Sequence, residues 1–143
     1  MRHPAHVTSE LIDVVYLVTQ AFWAELRRSG LTIEASQWST LRRIARSPCT
    51  MSELARHKGV GLPTISKSVE MLVRRGWVER WVDKSDRRQT MIRLTASGRR
   101  VLADCRRALE TFLDERLASL SAAERKAVDA SLQLVRKVLT VGD

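Results

Sequence analysis

The apolar spacing between residues 62 and 94 constrains this chain more than any other feature. Ile65, Val69 and Leu72 recur at i, i+4 and i+7, one face of a helix. After Gly76 the period falls to two. Residues 77–82 and 90–94 read as paired strands, and the seven residues between them contain no hydrophobe. Upstream, Thr50 and Glu53 form a T-x-x-E capping box opening a short helix, with Leu54 and Ala55 on its inner side, that ends at Lys58-Gly59. Pro63 sits in the first turn of the following helix, where its missing amide costs nothing, and Gly76 stops that helix near Arg75. A short helix, a Gly-containing turn and a second helix make a helix-turn-helix, and the hairpin adds a wing.

The flanks are helical. A first helix is expected from residue 8 or 9 to 28, with Leu11, Val15, Val18, Phe22 and Leu26 in one stripe and Ile12, Tyr16 and Trp23 in another. So wide an apolar sector predicts two packing partners. A second helix, with Thr32 as N-cap, carries Trp38, Leu41, Ile44 and Ala45 and stops near Ser47-Pro48. Thr95, Ala96, Ser97 and Gly98 return the chain to helix. One long helix follows over residues 96–118, and a last is opened by a Ser121/Glu124 capping box. The expected fold is mainly α with a small β-hairpin wing. It is a winged helix-turn-helix lobe over residues 31–95, flanked by dimerisation helices over 8–30 and 96–141, together one structural domain.

Charge separates these regions. The chain carries 25 Lys and Arg against 16 Asp and Glu, a net +9. Residues 1–30 hold three of each sign and residues 101–143 seven of each, whereas residues 51–100 hold twelve basic and five acidic groups. A basic block between neutral flanks is the footprint of a polyanion. With the helix-turn-helix it points to double-stranded DNA, the second helix lying in the major groove. Pro63, Thr64, Ser66, Lys67 and Ser68 form its polar outer face, at the end where the helix dipole favours phosphate. In the hairpin tip, Lys84, Arg87 and Arg88 are suited to a narrow minor groove. Asp86, two residues before Arg88, is expected to hold that guanidinium extended.

From residue 31 to 100 the sequence resembles the MarR family of winged-helix regulators. The resemblance is carried by Leu31-Thr32, Gln37-Trp38 and Leu41, by Met51-Ser52-Glu53-Leu54-Ala55, by Pro63-Thr64-Ile65-Ser66-Lys67 and by Leu72. It continues through Arg75-Gly76-Trp77-Val78-Glu79-Arg80, the wing from Asp83 to Arg88, and Leu94-Thr95 with Gly98. The D-x-R wing followed by L-T-x-x-G is its most specific part. It implies a homodimeric repressor on a pseudo-palindromic operator, released by a small phenolic or other hydrophobic ligand. It also implies Thr64, Ser66 and Lys67 in the major groove and Arg88 in the minor groove, with Arg87 close by. Gly61 stands where many members have Ser, and Trp77 and Trp81 are bulkier than the usual residues. Trp23 and Trp38 are candidates to line a ligand pocket, although Trp38, on the inner stripe of its helix, reads first as core.

Other classes find less support. His3, His6 and His57 show no HExxH spacing, and no phosphate loop or GxSxG elbow occurs, so neither an enzyme nor a cofactor is expected. Cys49 and Cys105 lack metal-like spacing. Cys105 reads as core and Cys49 as a more exposed turn residue, leaving a redox-responsive regulator as an alternative. A winged helix that binds protein without specific DNA binding is another. With no apolar run of membrane-spanning length and no signal-peptide pattern, a cytoplasmic chain is expected.

Overall fold

The structure is a computed structural model that describes residues 4–140. The chain divides into two compact units between Ala108 and Leu109. In chain order the elements are α1 (Pro4–Arg28), α2 (Ala35–Arg46), β1 (Cys49–Thr50), α3 (Met51–Lys58), α4 (Leu62–Arg74), β2 (Val78–Val82), β3 (Thr90–Leu94), α5 (Ala96–Leu117) and α6 (Ala122–Thr140). The expected helices and hairpin are all present.

Three local details differ from expectation. α1 begins at Pro4, before the Thr8/Ser9 start read from the sequence. Nothing between breaks a helix, and Pro is tolerated in a first turn. α2 is opened by Glu34 rather than Thr32: the Gln37 side chain accepts the Glu34 amide at 3.1 Å. Ile33 is buried, and the Thr32 carbonyl is taken at 2.6 Å by Arg75. The third difference is a strand. Cys49 and Thr50 pair antiparallel with Ile92 and Met91, giving a sheet ordered β1-β3-β2.

In the first unit the core is built from one stripe of each helix. Leu26 of α1, Leu41 and Ile44 of α2, Leu54 of α3, and Ile65, Val69 and Leu72 of α4 are buried, together with Val78, Ile92 and Leu94 of the sheet. Each such side chain contributes roughly 1.5–3 kcal/mol of transfer free energy. The capping box of α3 forms as expected, Thr50 Oγ1 accepting the Glu53 amide at 3.1 Å and Glu53 accepting the Thr50 amide at 2.8 Å. α3 ends at Gly59, whose φ of 65° is the left-handed conformation that glycine adopts without strain. α4 then starts three residues later.

The hairpin is anchored by close backbone packing. Thr95 Oγ1 donates to the Gly76 carbonyl at 2.5 Å and accepts the Gly98 amide at 3.0 Å, while the Thr95 amide donates to the Trp77 carbonyl at 3.0 Å. A Cβ on Gly98 would lie 2.0 Å from that same carbonyl oxygen, so α5 approaches the residue leading into β2 at a distance only glycine permits. This explains physically why L-T-x-x-G follows the wing.

The second unit contains the end of α5 and α6. Ser121 and Glu124 cap α6 reciprocally, at 2.7 and 3.2 Å. α6 buries none of its residues, and Leu132, Leu134, Val138 and Leu139 are 61–72% exposed. In the first unit α1 likewise leaves Ile12, Tyr16 and Leu17 each 64% exposed.

Candidate nucleic-acid interface

α4 turns a defined face outward because Ile65, Val69 and Leu72 are fixed inward. Pro63, Thr64, Ser66 and Lys67 are exposed on its first two turns. Ser68 departs from that face: it is half-buried and lines a small hollow of about 50 Å³ with Glu34, Ser36, Gln37, Thr40, Met71 and Leu72. The Gln37 amide nitrogen, also buried there, has no hydrogen-bond partner among the described residues. The N-terminus of α4 has no side-chain cap, since Gly61 at the cap position offers no acceptor. Its first-turn amides therefore keep the partial positive charge that attracts an anion.

The wing tip is shaped by two aspartates. Asp83 accepts the Ser85 amide at 2.9 Å and its hydroxyl at 2.7 Å, and these bonds hold the Asp83 carboxyl below its ordinary range. Asp86 accepts the Arg88 amide at 3.0 Å. This corrects the expected role of Asp86, which fixes the backbone of the loop rather than the Arg88 guanidinium. The Asp83 amide to Gln89 carbonyl bond, 3.2 Å, closes the tip. Lys84, Arg87 and Arg88 are exposed around it.

A groove of about 450 Å³ joins these parts. It is lined by Thr50, Met51, Ser52, Glu53, Arg56, Leu62, Arg88, Gln89 and Thr90, so the wing arginine and the start of α4 share one concave surface with α3. Glu53 is the one acid in it, and its carboxylate is occupied by the Thr50 amide. Arg56, Ser52 and Gln89 were not singled out from the sequence. The available signal was spacing: Ser52 and Arg56 are four apart, on the side of α3 opposite Leu54.

The remaining candidates lie elsewhere. Trp23 is half-buried on α1. Trp38 is half-buried as well and not a core residue; it edges a hollow with Ser39, Arg42, Arg43, Arg46 and His57. Trp23 does not line that hollow, so the two tryptophans are not brought together there. Cys105 is buried as expected, but Cys49, read as an exposed turn residue, is equally buried because β1 inserts it beside Ile92. Burial raises both thiol pKa values. No group of three or more His, Cys, Asp or Glu positioned for a metal occurs among the described residues, and no helix there is long and apolar enough to cross a membrane.

Comparison with known proteins places these features in context. A sequence model of the MarR family matches residues 29–89. The multiple antibiotic resistance protein MarR of Escherichia coli K12 is 31% identical over 113 residues, covering 78% of this chain and 76% of that protein. A solved Mycobacterium tuberculosis structure superposes with a TM-score of 0.87 at 20% identity, covering all of this chain and 97% of the other. A MepR mutant from S. aureus, solved bound to an oligodeoxyribonucleotide, gives a TM-score of 0.70 at 22% identity, covering 94% and 98%.

Proposed function

The chain belongs to the MarR family of transcriptional regulators, and from that premise we propose that it acts as a homodimeric repressor on a pseudo-palindromic DNA operator. The observation that carries the reading is the groove that sets Arg88 of the wing and the uncapped start of α4 on one basic surface. Thr64, Ser66 and Lys67 read base edges in the major groove, and Arg88, with Arg87 and Lys84, enters the minor groove. A structural neighbour solved with an oligodeoxyribonucleotide supports DNA as the partner. The apolar faces left open on α1 and α6 support a dimer built from residues 8–30 and 96–141. Two-fold pairing buries them and sets the recognition helices about 34 Å apart, one turn of DNA.

Release by a small ligand completes the reading, and a cytoplasmic setting follows from the function. Redox control is the weaker alternative, because both thiols are buried and held in the protonated form. Selection of bound duplexes from a random library tests the proposal. A palindromic site with half-sites one turn apart is expected. Lys67→Ala or Thr64→Ala shifts the selected bases, and Arg88→Ala weakens binding across sequences. No enrichment, or indifference to all three substitutions, refutes the docking.

A further inference from the structure

Gln37 presents an unmet hydrogen-bond donor to the hollow between α2 and α4. Only 6% of the residue is exposed, and its Nε2 has no hydrogen-bond partner among the described residues. The orientation of this amide is fixed at its other end. Oε1 accepts the Glu34 backbone N–H at 3.1 Å, which an amide nitrogen in the same place could not do. The NH2 group is therefore the end left to the hollow. Native folds leave few buried donors unmet, because each forfeits its hydration without a bond in return.

Two hydroxyls share the hollow with it. Thr40, 2% exposed, donates its hydroxyl proton to the Ser36 carbonyl at 2.8 Å, so toward the hollow its Oγ1 is an acceptor. Ser68 brings a second, half-buried hydroxyl from α4. Neither is bonded to Gln37 Nε2. Size then decides what can join the three groups. The hollow measures about 50 Å³, well below the ~300–1,000 Å³ of sites for organic ligands. A buried water needs about 10–15 Å³ of such space and two to four polar partners. Both conditions are met here.

We propose that this hollow is a hydration site, in which an ordered water accepts a hydrogen bond from Gln37 Nε2 and donates to Thr40 Oγ1 and Ser68 Oγ. The water satisfies the buried amide and ties α2 to the second turn of α4. Ser68 thus works on the inner side of the helix whose outer face carries Thr64, Ser66 and Lys67. The bridge does not depend on the operator reading, and its test involves no DNA.

A crystal structure of the full chain, at a resolution that shows ordered water, is the first test. A water peak within about 3.2 Å of Gln37 Nε2, Thr40 Oγ1 and Ser68 Oγ is expected. The peak disappears in T40V/S68A, where Gln37 alone would remain to hold it. A double-mutant cycle in urea unfolding is the second test. Thr40→Val and Ser68→Ala each remove one partner of the same water, so their effects are coupled. The double variant raises the unfolding constant by a factor at least about threefold smaller than the product of the two single factors. Loss of the Thr40–Ser36 bond is common to both sides of the cycle and cancels. No water peak in the parent crystal overturns the proposal, as does a Gln37 amide that donates directly to a protein acceptor such as the Glu34 carboxylate. Additive losses in the cycle overturn it equally, because the two hydroxyls then share no partner.

Discussion

Gly98→Ala isolates the packing that ties the wing to α5. The added Cβ lies 2.0 Å from the Trp77 carbonyl oxygen, 2.9 Å from its carbon and 3.2 Å from its Cα. All three are backbone atoms, so no side chain can swing aside. Relief to even a tight 3.0 Å contact requires movement of about 1 Å, against a carbonyl that already accepts the Thr95 amide at 3.0 Å. Overpacking of this kind costs about 1–3 kcal/mol and strained hydrogen bonds about 1 kcal/mol each. The opposing gain in helix propensity is at most ~1 kcal/mol. The net expected is a loss of about 1–4 kcal/mol, or roughly 3–12 °C in Tm for a chain of this length. Thermal unfolding followed by circular dichroism at fixed chain concentration measures it. A Tm equal to or above that of the parent refutes the packing argument, since propensity alone would then decide.

Other substitutions and measurements probe separate parts of the structure. Gly61→Ser places a hydroxyl at the uncapped start of α4, where a Cβ meets only Pro63 Cδ at an ordinary 3.6 Å, and is expected to raise stability by only ~0.2–0.5 kcal/mol in urea unfolding, because glycine is itself a tolerable N-cap. Ser68→Ala leaves operator base preference unchanged, because Ser68 faces the hollow toward α2; a changed preference in the same library selection contradicts that placement. Cys49 and Cys105 react with a thiol reagent far more slowly in the native chain than after unfolding. Their raised pKa values leave less thiolate at pH 8 than a free cysteine has, so the native rate climbs only at higher pH.

What the sequence disclosed, and what it hid, follows the range of the interactions involved. The α3 capping box was legible because both partners are three residues apart, and the inner stripe of α4 because it repeats. The wing strands were legible from their period of two. β1 was hidden, since two residues carry no period, and the burial of Cys49 was hidden with it: its partner Ile92 lies 43 residues away. The start of α2 went to Glu34 because Thr32 is engaged by Arg75, again a distant residue. Trp38 was misjudged because its helix, with four buried residues at 37, 40, 41 and 44, turns it toward α3 and the arginines. Asp86 was expected to hold the Arg88 guanidinium and instead accepts the Arg88 backbone amide, a bond that depends on the fold of the loop and not on side-chain type.

The salt dependence of binding to an operator-containing duplex tests the central claim most directly. If α4 and the wing dock on DNA, log K falls linearly with log salt, by ~0.9 for each phosphate contacted, and Arg88→Ala lowers that slope by about one. Affinity that is absent, or flat from low to high salt, contradicts the account.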